Sequence, residues 1–130
     1  NPVFYVQYAY ARINSIFRIL KINLKKKITF TEKEFSLNNY EIQILKKISE
    51  WPKCVESSAT KLEPHRIPFY LYELVTLFHS YWNLGNQNEN FRFISKSNKL
   101  NKSKLVLLQS LAIVIENGMK ILGVSTPKKM

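Results

Sequence analysis

Residues 64–84 read PHRIPFYLYELVTLFHSYWNL, and this stretch decides the fold. Its large apolar residues recur every three or four positions, which is the spacing of one face of an α-helix. Pro64 and Pro68 mark the beginning of this helix, because proline is tolerated in the first turn, and Gly85 is expected to end it. The predicted inward face of this core helix consists of Ile67, Leu71, Leu74, Val75, Phe78 and Trp82.

Three helices are predicted before this stretch from the same spacing of apolar residues. Asn1 and Pro2 suit the cap and the first turn of a helix over residues 2–22. A second helix is predicted over residues 37–49, and a third begins at Trp51. The predicted inward side of the third helix consists of Val55, Ala59 and Leu62.

One more helix and two loops are predicted in the rest of the chain. The last helix is predicted over residues 102–122, and Gly118 within it allows close contact with a neighbouring helix. Residues 21–38 and 83–104, rich in lysine and asparagine, are predicted to be loops. Five helices without a pair of strands predict an all-α, five-helix bundle, which we interpret as a single domain over residues 1–130.

The charge balance is strongly basic. The chain carries 20 Lys and Arg against 9 Asp and Glu, a formal net charge of +11 on 130 residues. Such an excess is typical of proteins that bind nucleic acid or an anionic membrane, although solvated surface lysines give the same balance. The single cysteine, Cys54, has no partner for an internal disulfide, and apolar runs such as residues 111–115 are too short to cross a bilayer.

Residues suited to metal or nucleotide chemistry are few. Two histidines, one cysteine and no aspartate give no pair at zinc-ligand spacing, and the three glycines form neither a P-loop nor a dinucleotide fingerprint. Glu63 with His65, or Glu73 with His79, is conceivable as an acid–base pair, but a helix-terminus or an ordinary core or surface role is more common. We therefore predict no catalytic, metal-ligating or cofactor-binding residue.

Two aromatic residues and an arginine share one side of the first helix. At 100° per residue, Tyr5, Tyr8 and Arg12 fall within a narrow sector that is displaced from the predicted core face. Aromatic rings stack on unpaired bases, and a guanidinium donates to phosphate or to the edge of a base. Ile16 and Ile19 lie in the same sector, so from spacing alone packing of this side against a neighbouring domain is the more common explanation.

Further candidate contacts with nucleic acid come from other parts of the chain. Trp82 is either another stacking platform or a core residue, and its spacing does not decide between them. The lysine-rich segments 21–27 and 96–104, with Lys128 and Lys129, are candidates for phosphate contacts or for ordinary solvated surface. Together with the first helix, they predict a surface for single-stranded or looped RNA.

Three stretches carry a resemblance to a known family. They are residues 1–12, NPVFYVQYAYAR; residues 63–83, which include EPHR, YLYEL and FHSYWN; and residues 117–130, from NGM to the terminal KKM. Together they resemble the C-terminal DALR-type anticodon-binding domain of arginyl-tRNA synthetases, which are arginine-tRNA ligases, in its bacterial form. The resemblance implies the five-helix bundle of class I synthetase anticodon-binding domains, in agreement with the helices predicted above.

The resemblance implies that the chain binds the anticodon region of tRNA(Arg). It places Tyr5, Tyr8 and Arg12 on the anticodon-facing side of the first helix, with Trp82 and Met130 closing the same pocket. The family more often has tyrosine at position 82, so stacking is retained there while a hydroxyl hydrogen bond is not expected. Possible phosphate contacts are Lys26, Lys128 and Lys129.

The resemblance also implies that this chain is part of a longer synthetase. The family's His-Ile-Gly-His-like and Lys-Met-Ser-Lys-like catalytic signatures are missing from this sequence. We therefore expect a monomeric, cytoplasmic fragment that does not itself aminoacylate, has no cofactor or membrane contact, and acts with an upstream catalytic domain. ATP and Mg²⁺ are expected for the parent enzyme.

Two other interpretations stay open. The first is a helical docking module, in which Tyr5, Ile16 and Ile19 contact the chain's own catalytic domain or another protein. The second is a related anticodon-binding domain, as in the glycyl-tRNA synthetase β chain or the cysteinyl enzyme. The residues of the first helix and Met130 favour the arginyl family over this second possibility.

Overall fold

The computed structural model describes residues 1–94 and 101–130, and this part of the chain contains α-helices and short 3₁₀ turns but no strand. The prediction of an all-α fold is therefore confirmed. The 3₁₀ turns cover Glu32–Glu34 and Glu89–Phe91. The five helices are α1, Pro2–Leu20; α2, Asn39–Ser49; α3, Trp51–Thr60; α4, Arg66–Gln87; and α5, Lys102–Ile121.

The helix ends follow from local capping chemistry. Asn1 accepts a hydrogen bond from the backbone amide of Val3 at 2.9 Å and caps α1. Lys21 ends α1 in the left-handed conformation, with φ of 56°, so the helix is shorter than predicted. Asn38 and Glu41 each accept a hydrogen bond from the other's backbone amide at 2.9 Å, a reciprocal arrangement that caps α2.

The long helix α4 lies at the centre of the bundle and packs against the other four helices. Leu74, Val75 and Phe78 are fully buried on it, as their spacing predicts. Gly118 of α5 is the point of closest approach, because a Cβ added there would lie 2.8 Å from Leu71 Cδ1. The predicted close contact at Gly118 is therefore confirmed.

This contact predicts a loss of stability in the Gly118→Ala variant. The added methyl group fits only if the buried Leu71 side chain shifts, and such overpacking typically costs about 1 to 3 kcal/mol, which exceeds the roughly 0.5 to 1 kcal/mol that alanine gains over glycine within a helix. Urea unfolding measures the effect, and Asn117→Ala on the exposed side of the same helix is the control. Equal stabilities of the two variants would contradict the close packing of α4 on α5.

A buried carboxylate joins three of the helices. Glu41 of α2 is fully buried, accepts a hydrogen bond from the Tyr81 hydroxyl of α4 at 3.0 Å, and pairs with Lys104 of α5 at 3.3 Å. The Tyr81 hydroxyl in turn accepts a hydrogen bond from Asn38 at 2.7 Å. These bonds satisfy the charge of Glu41 and fix the position of α2 on α4 and α5.

The prediction for the inward side of α3 was wrong at two of its three positions. Ala59 is exposed, and Leu62 is 86% exposed with φ of 53°, because α3 ends at Thr60. The buried residue of this turn is instead Ser58, whose hydroxyl donates to the Glu63 carbonyl at 2.9 Å. A polar side chain faces inward here because it satisfies the backbone of the turn before α4.

The prediction that Gly85 ends the core helix was also wrong. Helix α4 continues to Gln87, and Gly85 is buried within it. Arg92 Nε donates to the Gly85 carbonyl at 2.6 Å, and a Cβ at Gly85 would lie 3.2 Å from Arg92 Cγ. The glycine therefore allows the segment after α4 to fold back against the helix.

Candidate nucleic-acid interface

Polar and aromatic side chains of α1 and α4 meet along one edge of the bundle. On α1, the ring of Tyr5 lies 5.4 Å from that of Tyr72 and 4.3 Å from that of His79, measured between centroids. Two turns further along α1, the Arg12 guanidinium lies 5.1 Å above the centre of the Trp82 ring. We call these five residues the α1–α4 cluster. It brings together three of the predicted site residues, Tyr5, Arg12 and Trp82.

His79 is the hydrogen-bonding centre of the α1–α4 cluster. It is only 4% exposed; its Nδ1 lies 2.8 Å from Arg12 Nη1, and its Nε2 lies 2.9 Å from the Tyr5 carbonyl oxygen. Arginine only donates and a carbonyl only accepts, so Nδ1 accepts and Nε2 carries the proton. Burial lowers the pKa of His79, the Arg12 charge lowers it further, and the bond to Tyr5 opposes these effects.

The lowered pKa of His79 predicts that acid destabilises the fold. Histidine in the unfolded chain has a pKa near 6.5, so as the pH falls the unfolded chain takes up this proton before the folded chain does. The stability that neutral His79 gives to the fold is therefore fully present above about pH 6.5 and is lost below it. We expect the free energy of unfolding in urea to fall from pH 7.5 to pH 5.5, and to fall less in His79→Asn. An identical fall in both proteins would show that His79 has no part in it.

Tyr8 is the most accessible of the predicted stacking residues. Its side chain is 49% exposed, while Tyr5 and Arg12 are half-buried against α4. Ile16, which shares this sector of α1, does not reach the surface and is only 2% exposed. The segment after α4 covers Ile16, since Phe93 and Ile94 line the same small cavity.

Trp82 contacts Arg12 and also lines this cavity. The cavity has a volume of about 130 Å³. Beneath the tryptophan, the Phe78 ring packs edge-on at 6.0 Å between centroids and connects it to the core. Trp82 is therefore a half-buried residue at the edge of the bundle whose ring contacts the core, and stacking of a base on it stays a prediction.

The C-terminal tail follows another side of α1. Gln7 Nε2 donates to the Ser125 carbonyl and Arg18 Nη1 donates to the Lys128 carbonyl, each at 2.9 Å. By helical geometry, Gln7 and Arg18 lie about 140° around α1 from Tyr5 and Arg12, with Tyr8 between the two sides. Met130 is 55% exposed at the end of this tail, and the described contacts do not join it to the α1–α4 cluster.

A basic cleft lies where the tail meets the end of α1. Its volume is about 590 Å³, and Glu116, which accepts a hydrogen bond from Tyr10, is its acidic lining residue. Lys26 is exposed next to the cleft, and Lys96 and Lys99 of the predicted basic segment lie outside the described residues. The cations that line the cleft are Arg18, Lys21, Lys25, Lys128 and Lys129.

The conceivable acid–base pairs do not form. Glu73 binds Lys47 at 2.7 Å, and Glu63 pairs with Arg66. Among residues 1–94 and 101–130 there is no group of three or more His, Cys, Asp or Glu residues that could hold a metal ion. Within the same ranges, no helix combines the length and apolar character that crossing a membrane requires.

Two members of the α1–α4 cluster, Tyr72 and His79, were not predicted as site residues. The periodicity of α4 contains a signal for them, since Tyr72, His79 and Trp82 are spaced by seven and three residues and share a face. On α1, Tyr5 and Arg12 have the same spacing of seven. Which of these residues touch is set by the packing of the two helices.

Comparison with known proteins identifies the family to which the chain belongs. A sequence profile described as the DALR anticodon binding domain matches residues 6–130. The chain belongs to this family. The match includes Tyr8, Arg12, Trp82 and Met130, and it begins one residue after Tyr5.

Curated relatives of this DALR domain are arginine-tRNA ligases. The protein from Pelagibacter ubique is 52% identical over 130 residues, and that from Bartonella bacilliformis is 39% identical over 136 residues. Both matches cover the whole of this chain but only 22% and 23% of the relatives, so the chain spans less than a quarter of their length. A solved arginyl tRNA synthetase from Campylobacter jejuni has the same fold, with a TM-score of 0.77 at 21% identity, over all of this chain and 27% of its own.

Proposed function

We propose that this DALR domain binds the anticodon of tRNA(Arg) and reads its central cytosine. The observation that carries the proposal is the α1–α4 cluster, in which Arg12 is held beside aromatic rings next to the half-exposed Tyr8. The arginine codons CGN and AGR share only the middle G, so the central C is the constant base of the anticodons. A reader of this anticodon needs one pocket for a single unstacked pyrimidine.

Each residue has a distinct part in the proposed recognition. Tyr8 offers an accessible ring for the base, and Tyr5 forms the second aromatic wall, supported from behind by Tyr72. Arg12 donates to a phosphate or to the acceptor edge of the cytosine. Trp82 limits the pocket at the α4 side. Met130 is proposed to cover the base with its flexible thioether side chain, which requires the end of the tail to move from its position beside Arg18 when RNA binds.

The proposal extends to the longer protein that the relatives represent. In it, the domain over residues 1–130 positions the tRNA, while an upstream catalytic domain arginylates it with ATP and Mg²⁺ in the cytoplasm. The isolated chain has no aminoacylation activity of its own and acts as a monomer. This part of the proposal is supported by two relatives that are arginine-tRNA ligases and of whose length this chain covers only 22% and 23%.

An NMR titration tests where the RNA binds. Adding an arginine anticodon stem-loop is expected to shift the amide signals around Tyr8 and the side-chain Nε–H of Arg12, with saturation. The same loop with adenine at the central position is expected to cause much smaller shifts there. Shifts confined to the lysine-rich segments with either loop would contradict base recognition by α1.

The exposed lysines are proposed to contact phosphates without reading the sequence. In Lys26→Ala, the slope of log Kd against log salt concentration is expected to fall by about 0.7 to 0.9, the contribution of one phosphate contact. Discrimination between central cytosine and adenine is expected to be unchanged. The control is Lys61→Ala, which changes an exposed lysine beyond the end of α3. If the salt dependence of Kd changed equally in this variant, Lys26 would not be a specific phosphate contact.

A docking role is the second candidate function. Phe4 and Ile19 on α1 are 54% and 67% exposed, which favours contact of this helix with another protein surface. The buried Ile16 takes no part in such contact. A module that only docks would bind the anticodon stem-loop weakly and without regard to the central base.

A further inference from the structure

The guanidinium of Arg12 has a fixed position although the side chain is long. The guanidinium is restrained from two directions. It hydrogen-bonds His79 Nδ1 at 2.8 Å, and it lies 5.1 Å from the centre of the Trp82 ring. An unrestrained arginine would lose rotamer freedom on binding RNA, which weakens recognition. The holding contacts therefore prepare Arg12 for a ligand in advance.

His79 also connects Arg12 to the other end of the α1–α4 cluster. Its second nitrogen donates to the Tyr5 carbonyl at 2.9 Å, and its ring packs against the Tyr5 ring at 4.3 Å between centroids. Tyr5 and Arg12 are two helical turns apart, and His79 bonds both residues from α4. No other described side chain hydrogen-bonds Arg12.

We propose that His79 is a positioning residue for anticodon recognition, which in its neutral Nε2–H form orients Arg12 through Nδ1 and holds Tyr5 through Nε2. This inference rests on the proposed function and adds a residue that does not itself touch the RNA. Nδ1 is an acceptor for Arg12 only in this tautomer. In a protonated His79, the Nδ1–H donor would face the N–H donor of Arg12, and the positive imidazolium would face the positive guanidinium.

The surroundings of His79 preserve this state. Arg12 is the charged group that faces it from α1, the Tyr5 phenol ring packs on the same side, and Phe78 and Trp82 on α4 bring no charge. Glu73, the carboxylate on α4 nearest in sequence, is bound to Lys47 at 2.7 Å. A carboxylate that would favour protonation is therefore not among the described partners of His79.

Two amide substitutions separate the two hydrogen bonds. In His79→Asn, the side-chain oxygen is expected near the position of Nδ1 and still accepts from Arg12. In His79→Gln, the longer side chain places its NH₂ group near the position of Nε2, so that the bond to Tyr5 is kept and the acceptor for Arg12 is lost. His79→Phe removes both bonds and keeps the ring.

The binding experiment compares discrimination between central cytosine and central adenine in the 130-residue chain and these variants. Discrimination is expected to fall about tenfold in His79→Gln and His79→Phe, and to stay within about threefold in His79→Asn. The exposed His65→Asn is the control. Equal discrimination in all three His79 variants, each shown to be folded by its unfolding curve, would overturn the positioning role.

An NMR measurement tests the same inference without RNA. Long-range ¹H–¹⁵N correlation is expected to show the Nε2–H tautomer for His79, and the Arg12 guanidinium signals are expected to sharpen in the unaltered chain relative to His79→Phe. An Nδ1–H tautomer would overturn the inference. If the unaltered chain does not discriminate between the two loops, the proposed function fails as well; if it discriminates and His79→Phe discriminates equally, only the positioning role fails.

Discussion

Replacing Tyr8 with alanine is expected to weaken binding of the arginine anticodon stem-loop by about tenfold or more. Stacking of one base on one aromatic ring typically contributes about 1 to 3 kcal/mol, and Tyr8 offers the most accessible ring next to the α1–α4 cluster. Because half of its side chain is already exposed, its removal is expected to change the free energy of unfolding little. Fluorescence anisotropy with a labelled stem-loop measures the loss.

Two variants serve as controls for Tyr8. Tyr8→Phe keeps the ring and is expected to keep most of the affinity, which separates stacking from the hydroxyl group. Phe69→Ala removes an exposed aromatic on α4, in a different cavity that Lys47 and Cys54 also line, and is expected to leave binding unchanged. If Phe69→Ala weakened binding as much as Tyr8→Ala, general loss of aromatic surface would explain both results.

The largest expected effect on stability is that of Phe78→Ala. Phe78 is fully buried, and its ring lies 5.6 Å from that of Phe93 and 6.0 Å from that of Trp82, between centroids. Truncation of a buried phenylalanine to alanine typically costs about 3 to 5 kcal/mol, a large part of the total stability of a domain. We expect the midpoint of thermal unfolding to fall by roughly 10 °C or more.

The matched control for Phe78 lies on the same helix. Phe69 is 64% exposed, so Phe69→Ala is expected to change the free energy of unfolding by no more than about 0.5 kcal/mol. Near-equal losses in the two variants would contradict the burial of Phe78 in the core. Because Phe78 also supports Trp82, folded Phe78→Ala protein at low temperature is expected to discriminate less well between the two stem-loops.

Much of the fold follows from periodicity and from a few capping residues. The spacing in residues 64–84 predicts the buried face of α4, and Gly118 of α5 predicts a close contact with a neighbouring helix, which the structure places at Leu71. The errors occur where a residue's role depends on a distant segment. Leu62 is left in solvent because α3 is short, and Gly85 lies inside α4, where its lack of a side chain lets Arg92 fold back against the helix.

The same distinction applies to the candidate site. Helical spacing predicts that Tyr5, Tyr8 and Arg12 share one side of α1, and the structure places Arg12 over Trp82. Spacing did not predict that Ile16, in the same sector, is covered by the segment after α4. It also did not reveal the tautomer of His79, because this depends on which atoms of two helices come within 3 Å of each other.

The most direct test of base recognition is the ratio of two dissociation constants at two salt concentrations. The ligands are an arginine anticodon stem-loop and the same loop with its central cytosine changed to adenine. We predict that the unaltered chain prefers cytosine by about tenfold or more, and that this ratio persists at high salt while both affinities fall. Equal affinities that fall together with salt would contradict the account, because the net charge of +11 would then explain all of the binding.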